Sequence, residues 1–139
     1  IFDGITYSKG GAVLKQLMAL IGEENFGKAL NLYFTKNAWS NTTLEDFIGA
    51  LQEYYKPVSS TYPADLFKWK DSWLQTAGMN ECVPEWDPTS SSSESKLVIK
   101  QNACLSQFPT LRNHKMKVAF FDADGNIYDA KDVVLDETK

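Results

Sequence analysis

Histidine and cysteine are scarce in this 139-residue chain, which contains one histidine and two cysteines. Cys82 and Cys104 are too few and too far apart in the sequence for a Cys-x-x-Cys zinc site. We expect both thiols to be free, with a disulfide between them as the alternative. His114 lies between Asn113 and Lys115 near the start of a predicted strand. We expect this lone imidazole to be solvated and to bind no metal, because the sequence offers no partner ligands.

The chain also lacks a cluster of basic residues and a long apolar run. Its 14 basic and 18 acidic residues give a formal net charge of -4, so we do not expect nucleic-acid binding. The apolar stretch from Ala12 to Ile21 is interrupted by Lys15 and Gln16 and is shorter than the roughly 18 residues of a membrane span. A secretory signal is not visible either. We therefore expect no membrane association and a cytoplasmic location.

Apolar side chains recur with a helical period over residues 5–78 and predict about four helices joined by short loops. Tyr7 begins the apolar face of the first helix, and Trp69 and Trp73 lie four residues apart on the fourth, where core packing is the favoured role. The end signals are Gly22 after the first helix, Glu23 and Glu24 at the start of the second, a capping box formed by Thr42 and Glu45 before the third, and Pro63 and Gly78 at the two ends of the fourth.

The composition changes after the helices. Residues 81–96 contain two prolines and a serine-rich run, and they are predicted to form a flexible linker. Residues 97–139 then show short strand patterns, and the segment 122–126 (DADGN) is a strong turn signal between two of them. A calcium loop would need glycine where Ile127 stands, so a hairpin turn is favoured. The sequence therefore predicts an α+β fold, with a helical subdomain followed by a Ser-rich linker and short antiparallel strands.

The opening segment Phe2-Asp3-Gly4-Ile5-Thr6-Tyr7-Ser8-Lys9-Gly10 resembles the Phe-Asp-x-Ile-x-Tyr-x-Lys-Gly setting found in zinc aminopeptidases of the aminopeptidase N family. The order and spacing of further family segments continue at 21–26, 41–47 and 73–80. The resemblance implies that residues 1–80 are the helical C-terminal part of a gluzincin-type catalytic domain. It also implies, more weakly, that residues 97–139 begin the following β-sandwich domain.

The same resemblance implies a role for Tyr7 and a zinc ion in the complete enzyme. Zinc, held by a His-Glu-x-x-His helix and a later glutamate, activates water, while the hydroxyl of Tyr7 donates to the oxyanion that forms on the scissile carbonyl. This chain lacks that motif, so we expect the segment itself to bind no zinc or other cofactor and to be inactive alone. The expected partners are peptide substrates and the N-terminal part of the same catalytic domain.

Two non-catalytic interpretations stay open at this stage. The chain could be an interaction module that keeps an aminopeptidase-like scaffold, or a helical docking domain whose likeness to the peptidases is accidental. Without the motif, a tyrosine at a helix start is usually an ordinary core or boundary residue. The accidental likeness predicts that Tyr7 is buried in a closed core. Because the chain begins at Ile1, directly in the motif, we interpret it as a segment of a longer protein.

Overall fold

In a computed structural model the chain forms a helical half followed by a hairpin half. The structure describes residues 4–57, 60, 62–87 and 96–136. The helical half contains α1 (Gly10–Ile21), α2 (Glu23–Lys36), α3 (Leu44–Tyr54) and α4 (Leu66–Leu74). The hairpin half contains β1 (Asn80–Asp87), β2 (Lys96–Ala103), β3 (His114–Phe121) and β4 (Ile127–Leu135). The predicted α+β class is confirmed.

The helical half is organised around one apolar core. Leu17 of α1, Ile48 and Leu51 of α3, and Leu66 of α4 are its largest fully buried side chains. Trp69 is buried in the same cluster, and its ring centroid lies 5.7 Å from that of the half-buried Trp73. The predicted packing role of the two tryptophans is confirmed. None of the described helices is long and apolar enough to cross a membrane.

The third helix begins with a capping box one residue beyond the predicted one. The Thr43 hydroxyl accepts from the Asp46 amide at 3.3 Å, and the Asp46 carboxylate accepts from the Thr43 amide at 2.9 Å. The predicted pair has other partners, because the Thr42 hydroxyl lies 2.6 Å from the Tyr33 hydroxyl and Glu45 accepts from a lysine. Adjacent threonines and adjacent acids offered two registers, and the prediction of Thr42 with Glu45 was wrong.

The fourth helix is shorter than predicted at both ends. The Asp65 carboxylate accepts from the amide of Phe67 at 2.8 Å, so the helix begins at Leu66 and Pro63 lies outside it. The helix ends at Leu74, before Gly78. The carbonyl groups that follow α4 bind a side chain of the hairpin half, described below, and do not extend the helix.

The hairpin half consists of two separate antiparallel pairs, β1 with β2 and β3 with β4. In the first pair Asn80 lies opposite Ala103, and in the second His114 lies opposite Leu135. Strand β1 occupies the start of the segment predicted to be an irregular linker, so that prediction was wrong over 81–87. Its Pro84 is tolerated because an edge strand does not need every amide as a donor. The serine-rich run lies outside the described residues, and the division into domains stays a prediction.

The turn between β3 and β4 is the predicted hairpin turn. The Asp122 carboxylate accepts from the backbone amides of Asp124 at 3.0 Å and Asn126 at 2.8 Å. These bonds use the acidic side chain to close the turn and hold the pKa of Asp122 below its ordinary value. The interpretation of this segment as a turn is therefore confirmed.

Candidate active site

Tyr7 lies on a π-helical turn, Ile5–Lys9, that leads directly into α1. The amide of Gly10 donates to the carbonyl of Tyr7 at the end of this turn. Such single-turn π segments are rare and are frequent at functional sites. The sequence predicted an ordinary helix start here, because the apolar period does not distinguish an i to i+5 hydrogen bond from the usual one.

The side chain of Tyr7 is 61% exposed, so it stands at an open edge of the helical half. The interpretation as a docking domain with an accidental likeness to the peptidases predicted that Tyr7 is buried. The observed exposure contradicts that interpretation. Leu14 and Met18, further along α1, are also 46% and 36% exposed. The π-helical turn and α1 together therefore present a phenol followed by exposed apolar side chains.

An apolar depression of about 190 Å³ lies between α1, α3 and α4, with Leu14 in its lining. Its lining comprises Gly10, Val13, Leu14, Leu17, Leu44, Phe47, Ile48, Trp69 and Leu74. Exposed apolar area of this kind is typical of a surface that another protein segment covers. The helix that follows the Tyr7 turn therefore has exposed apolar surface of the kind that another protein segment covers.

The described residues offer no place for a catalytic metal ion. Within the described ranges, no three or more histidine, cysteine, aspartate or glutamate side chains are grouped as metal ligands would be. The chain has one histidine and no His-Glu-x-x-His sequence. The residues that the structure describes therefore do not fit a catalytic zinc ion.

Arg112 joins the hairpin half to the end of α4 and is only 4% exposed. Its guanidinium donates to the carbonyl oxygens of Ser72 at 2.8 Å and Ala77 at 3.1 Å, and to the Thr76 hydroxyl at 2.7 Å. A further bond of 3.3 Å reaches the side-chain oxygen of Asn80. A cation at the carbonyl end of a helix is stabilised by the helix dipole. Arg112 therefore fastens the hairpin half to α4.

A second basic residue of the hairpin half, Lys115, binds the carbonyl end of α1. The Lys115 ammonium donates to the carbonyl of Ala19, near the end of α1, at 2.9 Å. Gln101 of β2 supports the segment by accepting from the Arg112 amide at 3.1 Å and donating to the carbonyl of Asp136 at 2.8 Å. The start of β3 thus contacts the carbonyl ends of two helices.

His114 is not the solvated imidazole that the sequence predicted. Its ring packs edge-on against Trp73 with centroids 5.1 Å apart, and Nε2 lies 3.4 Å from the Asn80 side-chain oxygen. Burial, and then the positive charge of Arg112, lower the pKa of His114 below its ordinary value. The prediction failed because period and composition give no sign that strand β3 begins against α4.

A cavity of about 390 Å³, which we call the junction cavity, opens beside these residues. Its lining comprises Lys9, Trp73, Gly78, Met79, Asn80, Arg112 and His114. Lys9 belongs to the same π-helical turn as Tyr7. Sequence reasoning assigned no role to Arg112 or Asn80, because residues 30 or more positions apart meet here and no short motif reports such a contact.

Three acidic side chains near helix starts have structural roles. Glu24 pairs with Lys28 at 2.7 Å along α2, and Glu45 pairs with the buried ammonium of Lys70 at 3.0 Å. Asp46 caps α3, as described above. Cys82 and Cys104 are free thiols, as predicted. Asp3 lies outside the described residues.

The exposed phenol of Tyr7 on the π-helical turn is a neutral hydrogen-bond donor and acceptor. The family model for the peptidase family M1 domain matches residues 1–73, which is just over half of the chain. The chain therefore belongs to peptidase family M1. Both the motif around Tyr7 and the four helices lie within or overlap the matched region.

Curated relatives agree with this membership. Aminopeptidase N of Streptomyces lividans is 41% identical over 129 residues, which cover 89% of this chain and 14% of the relative. The glutamyl aminopeptidase of Homo sapiens is 43% identical over 79 residues, 56% of this chain and 7% of the relative. Aminopeptidase 2 of Candida albicans is 35% identical over 78 residues, 56% of this chain and 8% of the relative. The chain thus spans a small part of the length of the relatives that it matches.

Proposed function

We propose that this chain is part of a zinc aminopeptidase that removes N-terminal residues from peptides, and that Tyr7 is a catalytic residue of that enzyme. The observation that carries this proposal is the 61% exposure of Tyr7 on a π-helical turn. Membership of peptidase family M1 and the aminopeptidase names of the relatives support the reaction class. The proposal takes peptides with a free N-terminus as the substrate class.

The chemistry of Tyr7 follows from what a phenol can do. Attack of water on a peptide carbonyl places negative charge on the carbonyl oxygen, and a phenolic hydroxyl is a neutral hydrogen-bond donor. A donor aimed at that oxygen binds the tetrahedral state more strongly than the substrate, so it lowers the barrier. The hydrogen-bonded turn that carries Tyr7 continues into α1 and would hold the phenol in place during the reaction.

The His-Glu-x-x-His motif that would supply zinc ligands and the general base is absent from this sequence, so the proposal places those groups in another part of the protein. Zinc would supply an activated water and a polarised carbonyl in the complete site. We propose that the segment alone is inactive and that its partner is the rest of the catalytic domain. The exposed Leu14 and Met18 and the adjoining apolar depression support this partner.

The test is the Tyr7→Phe substitution in the longer protein that contains this segment. Loss of one oxyanion donor should lower kcat about 10²- to 10³-fold while KM changes little. The readout is hydrolysis of aminoacyl arylamides. Tyr128→Phe is the matched control, because Tyr128 is 67% exposed but lies on β4. A kcat that Tyr7→Phe leaves unchanged would remove Tyr7 from the mechanism.

A non-catalytic interaction module with an aminopeptidase-like scaffold is the second candidate. The lack of a metal-ligand cluster within the described residues is the observation that favours it. A longer protein that binds a partner but hydrolyses no aminoacyl arylamide, with or without added zinc, would establish this function. Zinc-dependent hydrolysis by the longer protein would exclude it.

A further inference from the structure

The junction cavity is lined by basic and neutral side chains. Lys9, Arg112 and His114 contribute nitrogen donors, and the described lining contains neither aspartate nor glutamate. In a chain with more acidic than basic residues, this concentration of positive charge is unusual. A cavity with this lining favours a negatively charged occupant.

The charge of Arg112 is not neutralised by a carboxylate in the described part of the chain. The acceptors of its side chain are three backbone carbonyls, a hydroxyl and an amide oxygen, all of them neutral groups. The carbonyl end of α4 supplies about half of an elementary negative charge. A buried cation usually has an ionised partner, so an anion beside Arg112 would stabilise it further.

The cavity also offers an apolar wall. Trp73 belongs to its lining. Met79 and the Trp73 ring supply apolar surface on the same lining. Small-molecule sites commonly combine an apolar wall with a few converging polar groups.

We propose that the junction cavity binds a small organic carboxylate, with Lys9, Arg112 and His114 around the carboxylate group and with Trp73 and Met79 against its carbon chain. The carboxylate belongs either to a free organic acid or to the C-terminus of a peptide. This site requires no catalytic role for Tyr7, so it stands or falls separately from the proposed function.

The experiment uses the single histidine as its reporter. His114 is the only source of imidazole signals in the 139-residue chain, so its NMR resonances need no assignment by mutation. Propionate is titrated into the chain at constant ionic strength, with propionamide as its neutral counterpart. We expect propionate to shift the signals to saturation and to raise the pKa of His114, because an anion opposes the charge of Arg112.

Lys9→Gln and Lys15→Gln form the matched pair of variants. Both lysines are exposed, but only Lys9 lines the junction cavity. Loss of the Lys9 charge should weaken propionate binding about five- to tenfold, as expected for one charge-assisted contact. Lys15→Gln should leave the affinity unchanged. Neither variant removes a buried group, so both should fold.

Two further ligands distinguish the sources of the carboxylate. If N-acetyl-trialanine binds more tightly than propionate and its C-terminal amide derivative does not bind, the site is assigned to peptide C-termini. Equal affinity of propionate and the peptide acid assigns it to free organic acids. The proposal is overturned if propionate gives no saturable shift, if propionamide shifts His114 equally, or if the two lysine variants weaken binding to the same extent.

Discussion

In the helical half the buried side chains are mainly apolar, whereas in the hairpin half they are polar. Within the described residues, every buried apolar side chain lies between Val13 and Trp69. Gln101, Arg112 and Asn113 are the buried side chains of the hairpin half, while Lys70 is the polar exception in the helical half. The two halves are therefore stabilised by different physical effects.

This difference indicates which half depends on the other. Burial of apolar side chains stabilises the helical half directly, since a fully buried leucine contributes about 1.5–3 kcal/mol. Isolated two-stranded hairpins are marginally stable in water, so the hairpin half relies on the bonds of Arg112 and Lys115 to α4 and α1. An apolar cleft of about 400 Å³ lies between the hairpins, lined in part by Trp86, Val118 and Phe120.

The strongest test of the comparison is the removal of a core side chain from the helical half. Leu51 is fully buried, so Leu51→Ala should lower the free energy of unfolding by about 2–5 kcal/mol. Denaturant titration followed by circular dichroism measures this loss. Leu14→Ala is the control, because Leu14 is 46% exposed and its truncation should cost under about 1 kcal/mol.

Amide hydrogen exchange of the Leu51→Ala variant shows which of the two halves loses protection. If the hairpin half depends on the helical half, Leu51→Ala should increase amide exchange in both halves. Protection that falls in α1–α4 but persists in β1–β4 would show that the hairpins are stable by themselves, and the comparison would then be wrong.

Removal of the Arg112 guanidinium tests whether the hairpin half depends on its bonds to α4. Arg112→Met keeps much of the side-chain volume but removes the guanidinium bonds to the carbonyl groups of Ser72 and Ala77, of which the Ser72 carbonyl keeps a bond from the Thr76 hydroxyl. We expect a loss of about 2–3 kcal/mol, since hydrogen bonds to charged groups are among the stronger ones. Exchange should increase in β1–β4 and remain near the wild-type level in α1–α3.

Lys117→Met is the matched control for this variant. Lys117 is an exposed cation on β3 whose ammonium lies 3.1 Å from Asp132. Loss of such a surface pair should change stability by under about 1 kcal/mol. Equal losses for the two variants would mean that Arg112 contributes no more than a surface charge, and the junction would need another explanation.

The comparison also explains how much of the fold the sequence could predict. The helices of the helical half follow from apolar side chains at helical spacing, and Gly22, with φ of 91°, ends α1 as predicted. The hairpin turn at Asp122 follows from local chemistry as well. These features depend on residues close together in the sequence, which is why pattern reasoning found them.

The candidate site could be predicted only in part, for the same reason. Tyr7 was found because a contiguous motif surrounds it. The junction of Arg112, His114 and Asn80 was missed because its residues come from separate elements and show no period. Strand β1 was missed because Pro84 and the acids around it resemble a loop, although a partner strand supplies the pairing. Tertiary contacts decide these features, and a single sequence does not report them.

A smaller effect is expected at Gly78, where the chain passes from α4 to β1. Gly78 has φ of 93°, and a Cβ built on it would lie 2.6 Å from the Cβ of Phe108. Gly78→Ala should therefore cost about 2 kcal/mol, from the backbone conformation and the displaced contact. Thermal unfolding measures the loss. Gly27→Ala is the control, since a Cβ on Gly27 meets nothing within 4 Å and alanine favours a helix. A neutral Gly78→Ala would show that the junction between the halves is adaptable.

The smallest expected effect concerns the cap of α3, which lies within the helical half and away from the junction. Thr43→Ala removes the hydroxyl that accepts from the Asp46 amide and should cost about 1 kcal/mol. Thr42→Ala should cost about 0.5 kcal/mol or less, because Thr42 lies outside the cap and its bond with the Tyr33 hydroxyl is exposed to solvent. Chemical denaturation of the two variants separates the observed register from the one expected from the sequence.

The pH dependence of the stability that Thr43→Ala loses relative to wild type tests the cap further. Bonds from the Thr43 amide and hydroxyl lower the pKa of Asp46, so the stability from its ionised form is present above the ordinary aspartate range and is lost as the pH falls through the folded-state pKa. The difference between wild type and Thr43→Ala should therefore narrow in acid. A stability difference that stays constant between neutral and acidic pH would show that the hydroxyl acts without the carboxylate. The two hydrogen bonds of the capping box would then be energetically independent.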